Sequence, residues 1–119
     1  MRPLFACAIA TLLLTSPALA GEAQVERVSA RQSGNSWSFD VTVSHADTGW
    51  DHYADAWSVS APDGTNLGTR KLAHPHETEQ PFTRSLSGVV VPNGVNEVII
   101  RARDNVHGWS SQSYTVKLK

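Results

Sequence analysis

The stretch that most constrains the fold is residues 37–44, where Trp37, Phe39, Val41 and Val43 alternate without interruption with Ser38, Asp40, Thr42 and Ser44. A period of two places one set on each face of an extended strand, and it is incompatible with a helical stripe. The same alternation returns in Val98, Ile100 and Ala102 against Ile99, Arg101 and Arg103, and in Tyr114, Val116 and Leu118 against Thr115, Lys117 and Lys119. Weaker extended runs fall at about 24–31, 55–59, 66–73 and 82–90. In the 55–59 run Asp55, Trp57 and Val59 share a phase. In the 82–90 run Phe82, Leu86 and Val90 do, with Arg84 on the same face in need of a partner or a bulge. The 66–73 run, with Gly68, Arg70 and Lys71, reads as a sheet edge.

Turn chemistry separates these runs at regular intervals: Gln32 to Asn35 around Gly34, Pro62-Asp63-Gly64-Thr65, and Pro92-Asn93-Gly94. Seven short strands without a helical period predict an all-β, seven-stranded antiparallel sandwich.

The first twenty residues are set apart from that domain. Arg2, the apolar run from Leu4 to Leu14 and the small residues of Ala18-Leu19-Ala20 read as a cleaved signal peptide over residues 1–20. Residues 21–119 are then one domain of about 99 residues. The expected location is periplasmic or secreted, without stable membrane insertion, because the apolar run is too short to span a bilayer. A lipid-anchored form would need a cysteine just after that run, and Cys7 lies near its start.

Cys7 and Met1 are the only sulfur-bearing residues. The processed chain therefore has no disulfide, and any metal must be held by imidazole and carboxylate rather than by thiolate. Removing Arg2 takes the formal charge from −1 to −2, which argues against nucleic acid as a partner.

All five histidines fall in three connections: 45–55 with His45 and His52, 74–81 with His74 and His76, and 104–109 with His107. If consecutive strands run up and down, these three connections share one end of the sandwich and the three plain turns share the other. The predicted metal-ligating residues are His45, His52, His74, His76, His107, Asp51, Asp55 and Asp104, for zinc or copper(II). Pro75 favours extended backbone at His74, which would put His74 and His76 on one side. The same loops carry Trp50, Tyr53 and Trp109, which could instead anchor a protein or glycan partner. Trp37 and Trp57 are expected in the core. Gly68, His74, His76 and Gln80 approximate the first motif of a cupin, but Gln80 stands where a glutamate belongs and no second motif follows. No Ser/His/Asp arrangement with a recognisable context is present, so a binding module is expected rather than an enzyme, with a metal-dependent hydrolase left open.

Residues 97–111, from Glu97 through Asp104, His107 and Trp109 to Ser111, resemble the last two strands of fibronectin type III and related bacterial immunoglobulin-like domains, in which an alternating strand runs into a Gly-containing loop. The resemblance implies an immunoglobulin-like sandwich in which the second and sixth strands lie in the middle of opposing sheets. His45 and Asp104, inward at the same end, would then face each other, with Asp55 in the same phase. Two departures stand out: the second strand lacks a cysteine, and the histidine-rich loops match no version of the motif. Those loops are similar to ones in small uncharacterised exported bacterial proteins, a likeness that carries no activity.

Overall fold

The computed structural model describes residues 14–15 and 21–118. The signal-peptide reading falls on residues outside this set, except for Leu14–Thr15, which form a short strand β1. The remaining strands are β2 (Gln24–Ser33), β3 (Ser36–Ser44), β4 (Ala54–Ser60), β5 (Asn66–Lys71), β6 (Phe82–Val89), β7 (Glu97–Asp104), β8 (Gly108–Trp109) and β9 (Tyr114–Lys117). Among the described residues there is no helix, and all pairings are antiparallel.

Two sheets result. One has the order β2-β3-β6 and the other β1-β9-β7-β4-β5, with β8 added to β7. They form an all-β sandwich around one core. Phe39, Val41 and Val43 from β3 are fully buried, as are Trp57 and Val59 from β4 and Val98, Ile100 and Ala102 from β7. Each large apolar side chain removed from water in this way contributes about 1.5–3 kcal/mol. The most regular alternations in the sequence belong to β3 and β7, the central strands whose inner faces are wholly covered. β5 is an edge strand, and its exposed, charged pattern has that physical cause.

Two expectations about phase fail, both at bulges, where an extra residue in one strand turns the following side chains over. The register between β3 and β6 shifts between Trp37 and Phe39. Val89 is therefore buried while Val90, expected inward with Phe82 and Leu86, is 61% exposed. The register between β4 and β7 shifts between Ala54 and Ala56. Ala54 takes the inward position, and Asp55 turns away from the core to pair with Arg103. Arg84 finds its partner in the ring of His76.

Candidate metal centre

The last inward positions of β3 and β7 are continued by polar residues rather than apolar ones. His45 follows Val43 in phase, and Asp104 follows Ala102; both are buried. Because β3 and β7 are central in opposing sheets, the two side chains meet across the end of the core, with His45 Nε2 4.0 Å from Asp104 Oδ2. His52 comes in from the connection between β3 and β4. Its Nε2 lies 3.2 Å from His45 Nε2 and 3.2 Å from Asp104 Oδ1. One ligand atom from each of His45, His52 and Asp104 lies within 4.8 Å of the others, a group that could hold a metal ion. Ligands about 2.0–2.1 Å from a tetrahedral ion are about 3.3 Å apart, close to the two shorter separations.

Behind His45 stands Asp47. Its Oδ1 lies 2.6 Å from His45 Nδ1 and also accepts the N–H of Ala54 at 3.0 Å. Its Oδ2 accepts the N–H of His76 at 2.7 Å. A carboxylate only accepts, so the proton of the His45–Asp47 contact sits on Nδ1, and Nε2 faces the cluster, 3.0 Å from the Gly21 carbonyl oxygen, which likewise only accepts. A carboxylate orienting a histidine in this way fixes the tautomer and raises the basicity of the nitrogen offered to a metal. Asp47 also fastens the 45–55 loop to the 74–81 loop, since it is bonded to both. Gln80 adds a second tie, accepting the His45 N–H at 3.0 Å and donating to the His76 carbonyl at 2.9 Å.

Asp104 is held with comparable thoroughness. Its Oδ1 accepts the N–H of Val106 at 2.9 Å and of His107 at 2.7 Å, closing the turn after β7, and His107 Nδ1 lies 3.1 Å from both carboxylate oxygens. Burial alone pushes the Asp104 carboxyl up. The backbone N–H groups of His107 and Val106, with the ring and charge of His107, outweigh burial and hold it below the ordinary carboxylate range. The side chains of Asp47 and Asp104 are both 0% exposed. Among the described residues, their ion-pair partners are histidines, with no Lys or Arg in contact. Two buried carboxylates faced by backbone N–H groups and imidazoles, without a Lys or Arg among these ion-pair partners, favour a cation beside them.

The remaining predicted ligands lie elsewhere. His107 borders the cluster, its ring centroid 5.1 Å from that of His52. His74 and His76 form a second pair, 4.6 Å between centroids, outside the three-residue group. His74 is exposed, with Nδ1 turned to the Pro75 carbonyl at 3.0 Å. His76 is buried and stacked on Phe82 at 3.8 Å, and the Arg84 guanidinium donates to its Nε2 at 2.9 Å. That bond places the proton of the neutral ring on Nδ1, which is buried without a partner. Burial first, then the charges of Arg84 and His74, hold the His76 pKa below its ordinary value. Asp51 is exposed on its loop, and Asp55 is committed to Arg103 on the outer side of the sheet.

Of the aromatic candidates, Trp50 is 66% and Trp109 45% exposed, and Tyr53 packs edge-on against Trp50 at 5.5 Å. Asn105 fixes their loop by accepting the Tyr53 N–H and donating to the Trp50 carbonyl, both at 2.9 Å.

Asp47, Gln80 and Arg84 organise the site without having been singled out as its residues. For Asp47 a signal was present: it stands two residues after an inward histidine that ends a strand. For Arg84 the signal was its inward phase in β6, which calls for a partner without naming it; for Gln80 the sequence does not reveal the bond to the His45 N–H, 35 residues away.

No family model matches the chain. Over 96 residues the chain is 42% identical to a protein of Halomicrobium mukohataei named "Putative lipoprotein". That match takes in 80% of this chain and 47% of the other, so the chain spans about half the length of this relative. The crystal structure of a DUF3823 family protein from Bacteroides ovatus superposes over 82% of this chain and 56% of that one, at 17% identity and a TM-score of 0.46.

Proposed function

We propose that this chain is an exported, immunoglobulin-like binding module whose histidine-bearing end holds a divalent metal, zinc or copper(II), through His45, His52 and Asp104. The observation that carries the proposal is the meeting of His45 Nε2 and His52 Nε2 at 3.2 Å beside a buried carboxylate, while His45 Nδ1 is tied to Asp47. Two ring nitrogens that close need a proton or a metal ion between them. A single shared proton would answer one contact, whereas a divalent ion answers all of them and balances the two buried carboxylates. The donor set of imidazole and carboxylate suits zinc and copper(II).

The strand order β2-β3-β6 facing β9-β7-β4-β5 supports the immunoglobulin-like and fibronectin type III-like assignment. Export is supported by the Arg2-led apolar leader and by the lipoprotein name given to the Halomicrobium relative. Periplasmic or secreted placement follows on this reading.

Calorimetric titration of the chain beginning at Gly21 with zinc and with copper(II) tests the proposal. At free metal a hundredfold above the dissociation constant, the folded state gains about 2.7 kcal/mol. Binding weakens as pH falls, because ligation requires neutral imidazoles. Heat no different from buffer, together with an unchanged melting temperature, rules the metal site out.

The exposure of Trp50 and Trp109 favours a second reading, in which a protein or glycan partner docks on Trp50, Tyr53 and Trp109. Replacing both tryptophans then abolishes partner capture and leaves metal binding unaltered.

A further inference from the structure

We infer that the α-amine of Gly21, released when the leader is cut away, is a further ligand of the same metal, so that processing completes the site. The inference rests on the metal reading above and on cleavage after Ala20. Its starting point is the Gly21 carbonyl oxygen, which lies 3.0 Å from His45 Nε2, on the side of the ring that faces His52. A carbonyl oxygen only accepts, so a metal on His45 Nε2 would take the place of the proton in this contact, and the Gly21 oxygen borders the space that metal would occupy.

Gly21 also lies against His107. A Cβ added to Gly21 would come within 3.0 Å of His107 Cε1 and 3.4 Å of His107 Nε2, and the residue has a φ of +86°. Glycine suits both the backbone conformation and the close approach. The α-nitrogen is one bond, about 1.46 Å, from this Cα. His45, His52 and Asp104 provide three ligand atoms, and a closed zinc site takes four.

The position of Gly21 is fixed from its C-terminal side. The Glu22 carboxylate accepts from the Ser111 N–H at 3.1 Å and the Ser111 hydroxyl at 2.7 Å. Ala23 is fully buried, and the Gln112 amide bonds both the N–H and the carbonyl of Val25, at 2.7 and 2.9 Å. Cutting the bond before Gly21 leaves all of these contacts in place. In the hydrolysis, the hydroxyl of water joins the Ala20 carbonyl carbon and the proton goes to the Gly21 nitrogen. A peptide nitrogen whose lone pair is delocalised thereby becomes an amine whose lone pair can bind metal.

The test compares three forms: the chain from Gly21 with a free amine, the same chain with its amine acetylated, and a chain that keeps Leu19 and Ala20. Each is titrated with zinc and with copper(II), after melting of the metal-free forms establishes that all three fold. The free-amine form is expected to bind at least about tenfold more tightly than the other two, the scale of loss when a metal site loses a supporting group. The copper(II) complex of the free-amine form, with nitrogen-15 at Gly21, should show altered nitrogen coupling in its electron paramagnetic resonance. Indistinguishable affinities in all three forms, or coupling unaffected by the label, overturn the amine ligand and leave the three-side-chain site standing. Absence of binding in every form overturns both.

Discussion

The two ends of this sandwich are built from the same strands and are held together in opposite ways. At one end, residues 61–65 close the β4–β5 hairpin and the Pro92-Asn93-Gly94 turn carries the chain from β6 to β7 in the other sheet, both with local bonds, such as Gly64 N–H to the Ala61 carbonyl at 2.9 Å and Val95 N–H to the Pro92 carbonyl at 3.1 Å. A groove of about 600 Å³ opens there around Trp37, Val91 and Leu118, and none of its lining residues is ionisable. At the other end the connections are longer, and their bonds are long-range: Asp47 to His76, His52 to Asp104, Tyr53 to Asn105. Local turns are interchangeable because each satisfies its own backbone. Loops bonded to one another can hold titratable groups in a fixed, buried geometry, and space alone does not make a site.

The largest effect that would separate the two ends is expected at Asp47. Asp47→Ala strips the His45 ring of its partner and leaves the buried N–H of Ala54 and the N–H of His76 unsatisfied. Each stranded group costs about 1–3 kcal/mol, so chemical denaturation should show a loss on the order of 3 kcal/mol. A loss below 0.5 kcal/mol, the ordinary surface scale of roughly ±0.5 kcal/mol, would mean the histidine end is no more interlocked than the turn end.

His52→Ala comes next. It removes one of the three converging ligand atoms, and zinc affinity measured by calorimetry should fall about a hundredfold or more. Unchanged affinity would move the metal away from this cluster.

Acid sharpens the comparison further. The His76 pKa is below its ordinary value of 6.5, so the unfolded chain takes up the proton first as pH drops. The contribution of neutral His76 is therefore complete above pH 6.5 and declines as pH falls from there through the lower folded value. Asp104, held below its ordinary 3.8, contributes above that pH and loses its contribution only as pH falls further, through its own folded value. Melting of the metal-free protein should decline first below pH 6.5 and again in strong acid, with the first decline smaller in His76→Phe. An equal slope in both proteins would remove His76 as its source.

The smallest effect belongs to the plain end. Asp63 accepts the Thr65 N–H at 2.9 Å on an exposed turn. Asp63→Ala should leave the denaturation midpoint indistinguishable from that of the unaltered chain, and metal titration should be unaltered.

Much of this was readable beforehand, for identifiable reasons. Strand parity places His45, His52 and His107 at one end whatever the strand boundaries, and the unbroken alternation of β3 and β7 carries His45 and Asp104 inward. Asp55 was misplaced because the bulge between Ala54 and Ala56 leaves no mark in a pattern of apolar residues. For His76 the spacing of residues shows an inward Arg84 eight positions on but not that its guanidinium reaches the His76 ring, a bond that only the packing of the 74–81 loop on β6 makes.

By itself the sequence determined the periodicity, the turns and the end of the sandwich at which the histidines collect, since these depend on residue type and spacing along the chain. Tertiary structure alone decided which of them converge, that Asp47 orients His45, and that Gly21 arrives beside the cluster. Those outcomes depend on bulges and on bonds between residues distant in the chain, and such contacts have no period to read.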